Sequence, residues 1–597
     1  MAQITVRANL SNVSIPLLIE EFGRSVIVRQ QDLNYVPAVA SKADLDKDVG
    51  IPQVYYAHNV MPTSYGYRSI SYANQISAIG VNTFDQVFNL LSVSGQKAFL
   101  AVNSDGSLYV CHSGVGYVWT SLAGIKKADY TEGTNTGTGY IAAASVAYGG
   151  ANDVYLATFT SATSYQVKKN GVNEAVGTTG VEYVSADTKV KFTINSGIAP
   201  FISGDNFTLT ISAATFLGAI TYSALSGETY IASEGQGVFS YDFTTNSLTW
   251  RLAAGLSGAN ILGICGSNGY LIAYSTDAVS WSSTIDPLDF VPSLSTGAGG
   301  GSVEEAKGPI RRLVSLTSGF IVFTAANAVV GVFGQNIRYP FTFREIPNAG
   351  GISDLTLVTD EADSTAVYAF TTHGLQQVSS QKATNIMPEL SDMLTGKRFE
   401  DFDTATLTFS SKNLVNPLKK RVEFISGRFL VISYGISSFT HSIVYDTALQ
   451  RFGKLKLAHV SAFQYGFLDA DDADTPKKQV AFVTADGNVK TIEFASGVQS
   501  EDSAILMGKF QYMRQRVLQL ECVDIESTEP GLPLTCYDYA TQDGKTFSGT
   551  PVSGFELASG QTKRYSFHNT GVNHSLMLIG TFKLNTVILK FTVGGDR

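Results

Sequence analysis

The stretch Asn268–Ser293, NGYLIAYSTDAVSWSSTIDPLDFVPS, contains two β-prone runs joined by a turn and followed by a Pro-containing loop. Its two runs, Tyr270–Tyr274 and Ala278–Trp281, are rich in aromatic and β-branched residues, which favour strands. The residues between them include Ser and Asp, which are typical of turns. The stretch therefore predicts a β-hairpin, and the fold depends on whether this unit recurs.

The same unit recurs six more times along the chain. Each copy is an apolar β-rich run, a turn with Gly or Asp, and a second β-rich run. From the second copy onward the spacing is roughly 40 to 60 residues, the period of propeller blades, each of which buries a face against the next. The six pairs are Lys97–Val102 with Ser107–Cys111, Glu228–Ala232 with Val238–Tyr241, Phe320–Thr324 with Val329–Phe333, Ala366–Phe370 with Leu375–Val378, Arg428–Ser433 with Ser442–Tyr445, and Gln479–Val483 with Asn488–Ile492. This pattern predicts a divergent β-propeller, with a string of separate β-sandwiches as the alternative.

The regions outside the hairpin series predict further β domains. Residues 130–212 are rich in Thr, Ser, Val and Gly and fill a gap too long for one blade, so we expect a small inserted β-sandwich there. Residues 501–597 lose the blade spacing and predict a C-terminal β-sandwich. Residues 1–60 are interpreted as an N-terminal arm, and 61–129 with 213–500 as the propeller-like body. The predicted fold class is all-β.

Composition and charge limit the function classes. The chain has 597 residues, 44% of them apolar and 16% charged, which indicates several folded domains rather than disorder. The formal net charge of −9 argues against electrostatic binding of nucleic acid, which needs clustered Lys and Arg. The same negative charge suits a wall that DNA slides past. We expect no signal peptide and no membrane-spanning segment, because no stretch approaches the required apolar length.

No catalytic or metal-binding set emerges from the sequence, so we expect no cofactor. The four cysteines form no C-x-x-C pair and are interpreted as small buried side chains. The seven histidines show no metal-ligand spacing. Two acidic segments, DLDKDVG at 44–50 and DADDAD at 469–474, fail the EF-hand template and are interpreted as solvated turns.

Two further segments resemble active-site motifs only superficially. STDAVSW, Ser275–Trp281, lacks the Gly of the Asp-box turns of propeller hydrolases. STGAGGGSVEE, Ser295–Glu305, lacks the Gly-Lys-Ser/Thr ending of a phosphate loop. We interpret the first as a turn and the second as a flexible loop.

The strand ending in Trp281, followed by Asp286, Pro287, Leu288, Asp289 and Phe290, resembles a strand pair and Pro-x-x-Phe loop of the tail nozzle, or tail hub, proteins of short-tailed bacteriophages. Three other segments resemble the same family: a return strand opening the next blade (Gly308–Gly334), an opening Asn-x-x-Pro motif (Asn59–Tyr72) and a closing strand pair (Lys563–Phe591). The likeness is scattered over about half the chain and consists of short motifs.

This resemblance implies a structural virion protein, made in the host cytoplasm and without enzymatic activity. Such proteins form a homohexameric ring, which the N-terminal arm would lead into, below the portal and adaptor proteins. The ring extends the DNA channel, retains packaged DNA without sequence-specific binding, and anchors fibres or spikes. Trp281 and the loop Asp286–Phe290, with an exposed aromatic side chain, are the expected subunit or partner contacts.

Two other functions stay open at this point. A receptor- or carbohydrate-binding propeller at a tail tip would need an aromatic platform near Trp119, Trp250 or Trp281. A propeller hydrolase would need two carboxylates that converge on one pocket, and the incomplete Asp-box weakens that alternative. The nozzle is the function that the sequence favours, and the receptor-binding propeller is its main competitor.

Overall fold

A computed structural model gives the architecture of the chain. It describes residues 3–9, 26–28, 54–63, 66–76, 84–92, 94, 97–112, 118–217, 220–334, 336, 339–359, 365–386, 399–403, 408–412, 419–425, 427–464, 480–494, 503–512, 517–527, 534–541, 548–553, 555–556 and 562–593. Within these ranges the chain forms 49 strands and no α-helix; Gly258–Asn260 and Leu355–Leu357 are short 3-10 turns. The predicted all-β class is confirmed.

The strands of the N-terminal third are β1 (Gln3–Asn9), β2 (Val26–Val28), β3 (Val54–His58), β4 (Val60–Thr63), β5 (Gly66–Ile76), β6 (Phe84–Leu91), β7 (Lys97–Asn103), β8 (Leu108–His112), β9 (Thr120–Ser121), β10 (Lys126–Glu132), β11 (Tyr140–Val146), β12 (Val154–Phe159), β13 (Ser164–Lys169), β14 (Val172–Thr178), β15 (Tyr183–Val184), β16 (Val190–Asn195) and β17 (Asn206–Ala213). Those of the middle third are β18 (Ile220–Leu225), β19 (Glu228–Ser233), β20 (Gly237–Asp242), β21 (Ser247–Arg251), β22 (Gly263–Ser267), β23 (Tyr270–Tyr274), β24 (Ala278–Trp281), β25 (Gly299–Ser302), β26 (Ile310–Leu316), β27 (Gly319–Thr324), β28 (Asn327–Phe333), β29 (Phe341–Gly350), β30 (Ala366–Thr371), β31 (Gly374–Ser379) and β32 (Ala383–Asn385). Those of the C-terminal third are β33 (Phe399–Asp403), β34 (Thr408–Lys412), β35 (Lys419–Ile425), β36 (Phe429–Gly435), β37 (Phe439–Asp446), β38 (Arg451–His459), β39 (Ser461–Gln464), β40 (Val480–Val483), β41 (Val489–Phe494), β42 (Ala504–Tyr512), β43 (Leu518–Ser527), β44 (Leu534–Thr541), β45 (Ser548–Ser553), β46 (Phe555–Glu556), β47 (Thr562–Gly571), β48 (Asn573–Gly580) and β49 (Lys583–Val593).

The chain divides into two compact units. One, here called the blade unit, comprises Ile76–Ile386 and Val483–Asn488; the other, the barrel unit, comprises Met1–Gln75, Met387–Phe482 and Val489–Arg597. The predicted domain boundaries were drawn along the sequence, and they stay predictions.

The blade unit contains a series of small antiparallel sheets, each formed by consecutive strands. The sheets are β6 to β9, β18 to β21, β22 to β25, β26 to β29 and β30 to β32. The first strands β6, β18, β22 and β26 contact one another in succession. Consecutive meanders packed through their first strands are typical of blades, and the fold is β-propeller-like, as predicted.

Local turn chemistry explains why these sheets form. Asn268 and Gly269, with φ of 51° and 84°, join β22 to β23, and two positive φ values give the tight turn that matches strand twist. Asn170 and Gly171, with φ of 49° and 84°, do the same between β13 and β14. All seven predicted hairpins are paired strands.

The faces of neighbouring blades are held together by apolar cores. Between the third blade (β22–β25) and the fourth (β26–β29), Tyr270, Ile272 and Val279 pack with Phe320 and Val322. A second core on the other face of the third blade joins Ile264 and Leu271 to residues of β19 and β20. The third blade therefore buries both faces, which explains its near-continuous apolar runs in the sequence.

The inserted region forms two sheets. One sheet has the order β10-β17-β12-β13-β14, and the other continues from β15, β16 and β11 onto the second blade through β21. Aromatic side chains fill the space between them, with the rings of Phe159 and Phe201 stacked at 3.9 Å between centroids. The predicted small β-sandwich is present here.

The barrel unit contains one large sheet that is nearly closed. Its order β35-β36-β37-β38-β4-β5 is extended by β41, β40 and β39, so β39 comes back close to β35. The hairpins β36–β37 and β40–β41, expected as two further blades, lie in this sheet instead. Their side chains face an enclosed core with Val431, Val444 and Phe482 rather than another blade.

The C-terminal strands form a sandwich, as predicted. One sheet holds β42, β48, β44 and β45, and the other holds β49, β43, β47 and β46. Strands β1, β2 and β3 of the N-terminal arm pair with β49 and β42 and complete both sheets. The core between the sheets includes Leu520, Val523, Leu578 and Leu589.

One glycine-rich segment differs from the sequence interpretation. Within the expected flexible loop Ser295–Glu305, residues Gly299–Ser302 form strand β25, which pairs in register with Ala278–Trp281. Glycine has a low strand propensity, so only the tertiary pairing with β24 places these residues in a sheet.

Candidate functional site

The predicted partner contacts Asp286–Phe290 lie in the loop 282–298, which joins β24 to β25 in the third blade. Trp281 closes its base: the indole Nε1 donates a hydrogen bond to the carbonyl oxygen of Gly297 at 2.9 Å. The indole ring also packs edge-on against Phe341, with 5.6 Å between ring centroids. The tryptophan is half-buried and works as a brace between the two ends of the loop.

The two carboxylates of the loop stabilise its own turns. Asp286 Oδ1 accepts a hydrogen bond from the Leu288 amide at 2.9 Å, and Asp289 Oδ1 accepts one from the Val291 amide at 3.1 Å. Such bonds to an amide two residues ahead are the usual turn role of Asp. Both carboxylates hold backbone amides of their own loop, although Asp286 remains exposed to solvent.

The apolar residues of the loop are anchors, and the expectation of an exposed aromatic side chain is wrong. Leu288 is 7% exposed and Phe290 is 2% exposed. The backbone explains this: Ala254 donates to the Leu288 carbonyl and accepts from the Phe290 amide, each at 2.8 Å. This pairing turns both side chains into the core formed with the second blade. Pro287, which precedes Leu288, is also buried.

Two other apolar side chains of the same loop are presented to solvent. Ile285 is 81% exposed and Leu294 is 69% exposed. Their segments run side by side, since the Thr284 amide donates to the Thr296 carbonyl at 3.3 Å. The sequence analysis missed both residues because it considered only the aromatic residue of the loop, Phe290, as a surface contact. Their signal in the sequence is weak, each being a single apolar residue among Ser, Thr and Asp.

Two of the three tryptophans cannot form a carbohydrate platform. Trp119 is buried, and its Nε1 donates to the Gly487 carbonyl at 2.9 Å within the blade unit. Trp250 is buried in the core shared by the second blade and the inserted sandwich. Stacking on a sugar needs an exposed ring face, which neither residue offers.

A polar cluster lies inside the sheet of the barrel unit. His459 is buried, and its Nε2 lies 2.8 Å from Ser433 Oγ and 3.2 Å from Ser442 Oγ. Its Nδ1 lies 2.7 Å from the Leu457 carbonyl oxygen, which can only accept, so Nδ1 carries the proton. Burial lowers the pKa of His459 to about 4, so the ring is neutral at pH 7 and Nε2 accepts from the two serines.

The distance of 2.8 Å between Ser433 Oγ and His459 Nε2 matches a nucleophile–base pair, but the environment of the two residues does not. Ser433 is fully buried, so its hydroxyl cannot meet a substrate. The second imidazole nitrogen bonds a main-chain carbonyl instead of the carboxylate that orients a catalytic histidine. We therefore assign the three side chains a structural role inside the sheet.

A carboxylate bridges the gap between the two ends of the same sheet. Glu423 on β35 accepts from Ser461 Oγ at 2.7 Å and from the Ala462 amide at 3.1 Å, both on β39. Arg421 Nε lies 2.7 Å from the same carboxylate. Burial raises the pKa of Glu423, and the Arg421 charge and these hydrogen bonds oppose that shift. The bridge joins strands that share no ladder.

A buried His–Asp pair lies in one sheet of the C-terminal sandwich and hydrogen-bonds to the other sheet. His574 Nδ1 on β48 lies 3.0 Å from Asp538 Oδ2 on β44, and Nε2 lies 3.0 Å from the Leu518 carbonyl on β43. Asn569 on β47 donates to the same carboxylate at 3.2 Å. His574 and Asp538 are both fully buried, so every polar atom of the pair is used for structure.

Among the described residues, no three His, Cys, Asp or Glu side chains come together as a metal site. The acidic segments 44–50 and 469–474 lie outside those residues.

The cysteines are free thiols; Cys111, Cys265 and Cys536 are buried as predicted, and Cys522 is half-buried. Burial raises the pKa of the Cys111 thiol to about 12. In the ranges that the structure describes, no helix is long and apolar enough to cross a bilayer.

The first three residues of STDAVSW form a turn and the other four form β24. Ser275 Oγ lies 3.1 Å from Asp277 Oδ1 and accepts from the Ala278 amide, which closes the connection between β23 and β24.

No family model and no curated protein matches the chain. Similar solved structures include the WD40 β-propeller domain of Doa1, with 7% identity over 72% of this chain and 98% of that chain and a TM-score of 0.32. Dihydro-heme d1 dehydrogenase NirN in complex with DHE has 12% identity over 71% of this chain and 74% of that chain, with a TM-score of 0.27. FlgL from Xanthomonas campestris has 19% identity over 21% of this chain and a TM-score of 0.13, and the chain spans 44% of its length. At these TM-scores none of the three carries an argument about function.

Proposed function

We propose that the chain is an architectural subunit of a short-tailed bacteriophage tail, the nozzle that extends the DNA channel below the portal and adaptor. The observation that carries the proposal is how the polar groups at the candidate sites are used. In the loop 282–298, the His459 cluster and the Asp538–His574 pair, they bond backbone or each other. Such an arrangement favours rigidity over chemistry.

The fold and the charge support the same role. Blades that bury both faces form a stiff body, which a channel wall needs under the pressure of packaged DNA. The net charge of −9 leaves little to hold a polyanion, so DNA would pass without sequence-specific contacts. The scattered sequence resemblance to tail nozzle proteins gives the specific assignment, including a virion location, attached fibres or spikes, and no catalytic activity.

The proposal predicts a closed ring, because one subunit surface repeated around an axis gives a cyclic assembly. The resemblance to tail nozzle proteins implies that the ring has six copies. Light scattering of the purified protein mixed with the adaptor should give a complex whose nozzle component has six times the 63.9 kDa mass of the chain. Negative-stain microscopy should show a six-fold ring. A strict monomer that never joins a tail particle would refute the proposal.

The competing function, a receptor- or carbohydrate-binding propeller, would need an exposed tryptophan, and two of the three candidates cannot serve. Trp119 and Trp250 are buried, and Trp281 is half-buried with its Nε1 occupied. Saturable binding on a glycan array by the isolated chain would revive it.

A further inference from the structure

The outer edge of the third blade carries a strand with an open side. Within the described part of the chain, β25 pairs with β24 alone and is the last strand of its sheet. Gly300, Gly301 and Ser302 are exposed. An unpaired strand edge offers backbone N–H and C=O groups to a strand from another chain.

Glycine at position 301 is not required by anything inside the chain. Its φ is not positive, and a Cβ built on it would meet no atom within 4 Å. Gly300 differs, because a Cβ there would lie 2.7 Å from Ser280 Oγ. Position 301 therefore offers open space that an alanine would leave largely free and a tryptophan would fill.

The open edge continues an apolar face of the blade. Gly299 and Gly301 lie opposite Trp281 and Val279 in the register of the β24–β25 pair. Directly opposed residues share a face, and here that face belongs to the core between the third and fourth blades. An added strand could therefore extend this core with apolar residues at alternate positions.

The surroundings of the edge favour a particular partner. Ile285 and Leu294 protrude from the loop at the Gly299 end, and the braces described above hold that loop, so binding would cost little conformational entropy. Two exposed carboxylates lie before and after the strand in sequence, Asp286 in the preceding loop and Glu304 two residues after Ser302. Two copies of this edge would bring like charges together, which disfavours self-pairing.

We propose that β25 is a docking edge for an extended segment of a partner protein. The segment adds to the blade as a fifth strand, with apolar residues at alternate positions and Lys or Arg at its ends. The inference goes beyond the proposed ring, because the edge would bind such a segment in whichever assembly the chain joins.

The test uses the full chain and a panel of fluorescent nonapeptides in which Val, Ile, Leu or Phe alternates with Thr. Each peptide is made with Lys ends and with Glu ends. Fluorescence anisotropy should show binding of Lys-ended peptides, about tenfold tighter than their Glu-ended counterparts. The substitutions Ile285→Lys with Leu294→Lys, or Gly301→Trp, should weaken binding about tenfold. Gly301→Ala, which fits the open space, should bind like the wild type, as should the exposed control Val172→Lys with Val176→Lys.

A second variant isolates the charge argument. Asp286→Asn with Glu304→Gln should abolish the preference for Lys ends while binding persists. Melting temperatures of all variants monitor folding, and the pair Gly301→Ala and Gly301→Trp separates loss of the site from loss of the fold.

Three results would overturn the proposal. They are absence of binding by every peptide, equal binding by wild type and Gly301→Trp, and a concentration-dependent dimer that Gly301→Trp abolishes, which would assign the edge to a second copy. Ring formation is measured separately by mass, so a chain that binds peptides but forms no ring would refute only the proposed function.

Discussion

Acidification from about pH 7 to about pH 5 should weaken the sheet around His459 by about 2 kcal/mol. Burial lowers the pKa of His459 from 6.5 to about 4. The unfolded chain therefore takes up a proton near pH 6.5, and the folded chain does so only near pH 4. The stability that depends on the neutral ring is complete above pH 6.5 and is lost as the pH falls. The full shift corresponds to about 3 kcal/mol, of which about 2 is lost by pH 5.

The structure explains why the neutral ring is favoured. Nδ1 already donates to the Leu457 carbonyl, and Nε2 accepts from Ser433 and Ser442. A proton on Nε2 would remove both acceptor bonds inside the sheet. His58 contributes with the same sign, because burial and the Lys456 charge also lower its pKa to about 4.

Hydrogen exchange followed by mass spectrometry can measure this loss of stability in the strands around His459. All three tryptophans lie in the blade unit, so their fluorescence would report on other sheets. After correction for intrinsic exchange rates, peptides from Phe429–Gly435 and Arg451–His459 should lose protection about thirtyfold between the two pH values. Ile310–Leu316 in the blade unit is the control.

The variant His459→Gln tests whether His459 causes the loss of stability on acidification. Glutamine can hydrogen-bond but does not titrate, so the variant should lose about 2 kcal/mol less on acidification than the wild type. If the wild type and the variant lose the same protection, or if acid stabilises these strands, the assignment to His459 is refuted.

Three further substitutions test the packing. Asp538→Ala should cost about 3 to 5 kcal/mol in calorimetry of the full chain, because it leaves His574 buried without its partner; Asp538→Asn, which can still bond Nδ1, should cost less, and equal losses would contradict the assigned pairing. Phe290→Ala should destabilise the blade unit by about 3 to 5 kcal/mol in urea monitored by tryptophan fluorescence, and an unchanged midpoint would show that Phe290 is not an anchor. Gly319→Ala should unfold its blade, because φ is 151° and the added Cβ would lie 2.0 Å from the Gly331 carbonyl oxygen, whereas Gly301→Ala should leave the melting temperature within about a degree. If both variants are stable the Gly319 assignment is refuted, and if both are destabilised the Gly301 assignment is refuted.

Much of the fold follows from local sequence. The pair Tyr270–Tyr274 and Ala278–Trp281, like the six others, was predictable because period, β-branched residues and turn chemistry act within a dozen residues. The inserted sandwich was predictable for the same reason, with Asn170 and Gly171 at the tip of its hairpin. The sheet that the later hairpins join was not predictable from the sequence. Strands β36 and β40 have the same local pattern as blade strands but belong to a different sheet.

The candidate site shows the same division. The sequence placed a stiff Pro-containing loop after Trp281 and assigned Asp286 and Asp289 to partner contacts, whereas the structure shows both carboxylates bonded to amides of their own loop. It assigned Phe290 to the surface, where the structure has Ile285. Both are apolar residues of one loop, and the backbone bonds to Ala254 turn Phe290 inward.

By itself, the sequence of this protein determined where strands and turns form, because hydrophobic period and the φ preferences of Asn and Gly operate over neighbouring residues. Only the tertiary structure decided which strands share a sheet, which apolar side chains stay exposed, and that Gly299–Ser302 is a strand with an open edge. These outcomes depend on contacts between residues that are far apart in the sequence. The residues next to a position do not determine its burial or whether its strand has a free edge.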